Sequence, residues 1–139
     1  MTPAELGELR FLYVATGDTD TAIARWTEDL GGRLRWRFRR FGADVAGIDV
    51  HDGTGPLVIL ADHRPNGTVL PIFAVADVDA AVDHLRGAGW TVDGPMGTPE
   101  GDAAVLTSPD GSELAVLQVD RPDALDGAFA DHADEHRVP

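Results

Sequence analysis

The sequence predicts an α+β protein built from two βαβββ modules, and three observations predict it. Residues 70–90 pass from alternating apolar residues through Asp77 into a helical pattern. Val78, Ala81, Val82 and Leu85 fall on one face, and the pattern stops at Gly87 and Gly89. Residues 11–32 repeat that plan at a constant offset of 59, which aligns Asp18 with Asp77, Asp20 with Asp79, Ala22 with Ala81, Ile23 with Val82 and Trp26 with Leu85. Each copy is followed by short apolar runs broken by turn residues, which signal hairpins. Two copies of one period are too few for a solenoid, so paired modules are the better reading.

In chain order, residues 1–8 form an arm and 9–62 the first module. Its first strand spans 9–16. Asp18 or Asp20 then caps a helix starting near Thr19, because a short carboxylate accepts from the free N–H groups of a first turn. The helix is expected to bury Ala22, Ile23, Trp26 and Leu30 and to stop at Gly31–Gly32. Residues 33–41 alternate, with Leu34, Trp36 and Phe38 on one face and arginines on the other. Strands at 43–50 and 56–61 flank a turn through His51, Asp52 and Gly53.

A polar linker, 63–68, precedes the second module at 69–119. There 90–92 reads as a short strand, and 93–101 is too rich in Gly and Pro for regular structure. Residues 102–107 and 112–119 form a hairpin across Pro109-Asp110-Gly111. The tail, 120–139, carries six carboxylates against two arginines and either holds a short helix over 124–133 or is largely mobile.

Composition narrows the function. A net charge of −13 argues against a nucleic-acid partner, since neutralising phosphates needs a basic surface, and it suits a cationic ligand. The absence of cysteine removes disulfides, thiolate metal sites and a cysteine nucleophile. No apolar run approaches the roughly 20 residues that span a bilayer, and the first ten residues lack the apolar core of a secretory signal. The expectation is a cytoplasmic protein with no membrane partner. No GxSxG, phosphate-loop, HExxH or dinucleotide fingerprint is present.

Two βαβββ units, with D-x-D-x-A at Asp18 and Asp77, Gly94-Pro95, Pro99, Gly101 and the segment SPDGSELAVL from Ser108 to Leu117, resemble the vicinal oxygen chelate superfamily. That group includes glyoxalase I, extradiol dioxygenases, methylmalonyl-CoA epimerase and the fosfomycin- and bleomycin-resistance proteins. The resemblance covers about residues 9–118. It implies the glyoxalase/bleomycin-resistance fold, in which the two modules form a curled mixed sheet around a cup, and it implies a homodimer.

The resemblance also implies where metal-dependent members place their ligands. The opening position, seven before the capping Asp, is Phe11 in module one and Leu70 in module two. The closing glutamate position, four after Gly111, is Ala115, and its module-one counterpart is Val58, give or take a residue. Divalent cations need imidazole nitrogen or carboxylate oxygen at about 2 Å, which these side chains cannot supply. No metal and no cofactor is therefore expected.

A cup without ligands has an apolar floor: Phe11, Tyr13, Val58, Leu70, Ile72, Ala115 and Leu117 by two-residue periodicity, with Leu12, Val14, Phe73 and Val75 toward the helices. Either these residues plug the cup as core or they line a small-molecule site. Trp36 and Phe38, with Phe41 near them, offer stacking surfaces if they face inward. If Arg35 and Arg37 face inward instead, the cup suits an anion. Met96 sits in residues 93–101, a candidate flexible lip.

The reading that follows is a metal-free protein of the bleomycin-resistance type. It sequesters an apolar or aromatic ligand such as an antibiotic, which the net negative charge allows to be cationic, with no catalytic residue. The alternative is a glyoxalase-, isomerase- or lyase-like enzyme using Tyr13, His51 or Glu113 as acid or base.

Overall fold

The computed structural model describes residues 5–40, 43–62, 64–65 and 67–124. Phe41, His63, His132, His136 and all but the first residue of the anticipated tail helix lie outside the described residues. The elements are β1 (Leu9–Ala15), α1 (Thr19–Ala24), β2 (Arg33–Arg40), β3 (Ala43–Asp49), β4 (Leu57–Ala61), β5 (Val69–Val75), α2 (Val78–Gly87), β6 (Thr91–Thr98), β7 (Gly101–Thr107) and β8 (Glu113–Gln118). The order is βαβββ twice, as the repeat predicts. The described residues divide into two compact units: an N-terminal one, Phe11–Val69, and a C-terminal one, Leu70–Ala124 with residues 5–10.

Both units begin the same way. A strand ends, and an aspartate in extended conformation caps a helix three residues later in the first unit (Ala15 to Asp18) and two residues later in the second (Val75 to Asp77). Asp18 Oδ1 accepts from the Thr21 N–H and Asp77 Oδ1 from the Ala80 N–H, each at 3.1 Å. Each cap contributes about 1 kcal/mol, and the acidic residues Asp20 and Asp79 in the first turns suit the positive end of the helix dipole. The Thr21 backbone N–H, followed by its hydroxyl, holds the Asp18 carboxyl below the usual carboxylate range.

In the N-terminal unit β1 runs parallel to β4, and β3 and β2 continue antiparallel outward. Ala46, Ile48, Val58 and Leu60 form the buried centre, with Leu12, Val14, Ala22, Ile23, Trp26 and Leu34 packed on them. Leu30, expected in this core, is instead 62% exposed. Residues Arg25–Asp29 form a π turn closed by Leu30 N–H on the Arg25 carbonyl, and the extra residue per turn rotates Leu30 off the buried face.

Strand β2 does not alternate as cleanly as its sequence. A bulge between Leu34 and Trp36 puts Leu34 opposite Ile48 on the helix side, whereas Trp36 and Phe38 turn to the other face. Arg37 then points to the helix side. Its guanidinium binds Asp44 through Nε (3.0 Å) and Nη2 (2.7 Å) and Asp20 of α1 through Nη1 (2.5 Å). Its side chain is only 6% exposed, so the helix is tied to the edge strand by a nearly dry cation.

In the C-terminal unit β5 is parallel to β8, with β7 and β6 antiparallel beyond it. Val75, Val78, Ala81, Val82, Ala104, Leu106 and Val116 make its core. Residues 93–101, expected to be irregular, mostly belong to β6, which pairs with β7 along its length apart from a register shift between Asp93 and Met96. Pro95 is tolerated because β6 has a sheet partner on one side only, so a missing N–H costs no ladder bond. Past β8 the chain is clasped: Arg10 binds Glu100 through Nε (2.7 Å) and the Pro122 carbonyl through Nη2 (2.7 Å), and the Glu100 carbonyl accepts from Asp120 and Arg121.

The Arg37 tie generates a pH prediction. Burial alone would raise the Asp44 carboxyl, but hydrogen bonds from Arg37 and Arg39 outweigh it and hold it below its ordinary 3.8. A depressed carboxylate contributes stability that is present above the unfolded value and lost as pH falls through the folded one. Arg37→Met is expected to cost about 2 kcal/mol at neutral pH and to flatten the loss of stability below pH 4, read by urea unfolding across pH.

Candidate functional site

Apart from Val58, the predicted site residues lie on the face of each unit's strands opposite its helix. In the N-terminal unit the register lines up Tyr13, Ile59, Gly47 and Trp36 across four strands, and Ala61, Val45 and Phe38 in the next row. Directly opposed residues share a face, so this is one surface, continued by Phe11 and Leu57. Trp36 and Phe38 therefore face away from the helix, and Arg37 does not. Arg35 engages Asp49 at 3.5 Å.

Trp36 is only 4% exposed, because its indole lies directly on Gly47. A Cβ on Gly47 would come within 2.7 Å of the ring at Cε2 and 2.8 Å at Cζ2. Phe11 is buried as well, at 8%. Tyr13 and Phe38 are half-buried and remain reachable from solvent. Burial, reinforced by Asp62 and opposed by Arg64, pushes the Tyr13 phenol up to about 12. At neutral pH Tyr13 is a hydrogen-bond donor and cannot act as a base.

Val58 does not belong to this surface. It pairs with Leu12 and packs in the helix-side core, so the parity expected for β4 is off by one. Ile59 lies opposite Tyr13 as Ala115 lies opposite Ile72, which makes Ile59 the module-one counterpart of Ala115. Sequence periodicity could not decide this, because all five residues of β4 are buried.

In the C-terminal unit Leu70, Ile72, Ala115 and Leu117 lie on the face opposite α2, with Val105 and Ala103 beside them on β7. Leu70, Ala115 and Leu117 are buried, Ile72 is half-buried and Met96 is 41% exposed. Met96 pairs with Ala103 in β6, so it sits on a strand and not on a flexible lip. Glu113 is exposed at the end of β8 opposite Thr107. His51 occupies the exposed 3₁₀ turn after β3 and His84 the helix α2; neither reaches these faces.

Phe11, Leu70, Ala115 and Ile59 carry no nitrogen or oxygen donor in their side chains, so they do not fit a divalent cation. Among the described residues no group of three His, Asp or Glu converges on one point.

A family model for the Glyoxalase/Bleomycin resistance protein/Dioxygenase superfamily matches residues 8–116. The chain belongs to that superfamily. Its fold is shared with methylmalonyl-CoA epimerase from Mycobacterium tuberculosis, at TM-score 0.69 and 18% identity over 90% of this chain and 95% of that one. It is also shared with the Streptomyces coelicolor methylmalonyl-CoA epimerase in complex with 2-nitronate-propionyl-CoA, at TM-score 0.66 and 19% identity over 84% and 100%. A hypothetical protein from Bacillus halodurans C-125 aligns at TM-score 0.66 and 12% identity over 82% and 95%. No curated protein matches the sequence significantly. For this superfamily member the helix-capping repeat carries the fold.

Two measurements check this surface. Gly47→Ala must push the Trp36 ring aside and is expected to cost about 2 kcal/mol by overpacking, with a red shift of tryptophan emission as the indole meets water. Tyr13 is the single tyrosine of the chain, so its ionisation is readable by ultraviolet absorbance. Phenolate is expected only near pH 12 in the folded protein. Because the folded value is raised, the stabilisation is complete below pH 10 and lost as pH climbs toward 12.

Proposed function

We propose that this superfamily member is a binding protein, holding a small molecule with an apolar or aromatic body and using no catalytic metal. The observation that carries the reading is the donor chemistry of Phe11, Leu70, Ala115 and Ile59, which offers a cation nothing to bind. In the N-terminal unit Phe38 supplies a reachable ring for stacking, Tyr13 supplies one hydroxyl donor, and Phe11 and Trp36 form the apolar backing. In the C-terminal unit Ile72 and Met96 are the reachable groups, backed by Leu70, Ala115 and Leu117. A net charge of −13 favours capture of a cation, so the finer form of the proposal is a planar, cationic, antibiotic-like ligand. Among the described residues no helix is long and apolar enough to cross a membrane.

A second reading, an isomerase or lyase, draws support from the epimerases among the structural neighbours. Such chemistry needs a base and an acid within one reach. Tyr13 suits the acid, but His51 and Glu113 are exposed and stand on turns or strand ends. The binding reading therefore stands first.

A thermal-shift screen of planar aromatic cations and natural-product antibiotics tests it. A ligand at a hundred times its Kd adds about 2.7 kcal/mol of stability, and Phe38→Ala is expected to weaken that ligand roughly tenfold. No response from any compound, or stoichiometric metal with turnover lost on chelation, would overturn the proposal.

A further inference from the structure

We infer a second ligand site in the N-terminal unit, on the side of the sheet away from Tyr13 and Phe38, that takes a small monocarboxylate with an aromatic or branched aliphatic body. This inference is independent of the function proposed above. The site is a cleft of ≈ 390 Å³ bounded by Val14 and Ala15 at the end of β1, by the loop Thr16-Gly17-Asp18, and by Thr21, Ala22, Arg25 and Trp26. Residues 18, 21, 22, 25 and 26 succeed one another at helical spacing and so form a single flank. The cleft exists because α1 makes its main contacts with β3 and β4, leaving a groove along β1. Its volume lies in the range of small-molecule pockets.

The chemistry of the lining selects the ligand. Val14, Ala22 and Trp26 give an apolar floor with one indole against which a ring can pack. The polar groups at the loop are already committed. Thr16 Oγ1 donates to the Asp18 carbonyl (3.1 Å) and accepts from the Asp18 N–H (3.2 Å), and Asp18 Oδ1 caps the helix. Arg25 is different: its side chain is exposed and makes no ion pair with any described residue. A carboxylate would meet a guanidinium there and form a charge-assisted pair. Asp18 stands seven residues earlier, about two helical turns or ~10 Å away. It stays ionised, and so it repels a second negative charge at the far end. That disposition favours a monoanion over a dicarboxylate.

The test uses the full chain and phenylacetate as probe, followed by amide and indole shifts in ¹H–¹⁵N spectra. Expected are saturable shifts at Gly17, Thr21 and the Trp26 indole N–H, with Tyr13 and Phe38 unmoved. Phenylacetamide, the neutral analogue, should bind about tenfold more weakly, and Arg25→Gln should weaken phenylacetate by a similar factor. Arg25 is exposed on the helix surface, so the variant should keep the wild-type spectrum, which is checked in the same experiment. Ala22→Met, which fills the floor, should abolish binding. Absence of shifts up to the solubility of the probe, shifts centred on other residues, or equal affinity for phenylacetamide or for Arg25→Gln would each overturn the inference.

Discussion

A carboxylate oxygen on the N–H three residues ahead fixes where each helix starts. Asp18 and Asp77 make that bond at the same distance and in the same backbone conformation. By starting the helix three or four residues after the strand ends, each cap brings one face of the strand under the helix. Leu12 and Val14, and Val75 in the second unit, become core. Phe11, Tyr13, Leu70 and Ile72 face away by alternation alone.

Arg37 extends the same logic to the outer strand. A cation held by Asp44 and by Asp20 of α1 must lie on the helix side. Its neighbours Trp36 and Phe38 are then directed to the opposite face, and the bulge after Leu34 absorbs the mismatch. Breaking one partner of such a nearly dry pair leaves an uncompensated charge, so orientation and stability are coupled at this point. Gly47 completes the arrangement by letting the Trp36 indole lie against bare backbone.

A fold tolerates more change of residue than a metal centre does. Identities of 12–19% to the three solved structures described leave the topology recognisable, since it rests on caps, turns and apolar alternation that many residues satisfy. A metal centre has no such tolerance: one donor in the wrong place removes it. Phe11, Leu70, Ala115 and Ile59 are all compatible with the strands that carry them and all incompatible with a divalent cation. Superfamily membership therefore says little about chemistry here, and the side chains must be read one at a time.

The sequence alone determined the repeated βαβββ order, where both helices start, the hairpins and the apolar character of Phe11, Val58, Leu70 and Ala115, because each is a short-range consequence of residue type; it left the first cap open between Asp18 and Asp20. Tertiary structure decided the rest. Strand β4 is buried along its whole length, so nothing in its composition shows that Val58 faces the helix and Ile59 does not. The π turn that exposes Leu30, the bulge that separates Leu34 from Trp36, and the edge position that lets 93–98 remain a strand despite Pro95 all depend on what lies on the neighbouring strand or helix. The cleft beside Arg25 depends on where α1 rests on the sheet. A one-residue slip reverses a strand's faces at almost no local cost, and only packing against a partner makes one register cheaper than the other.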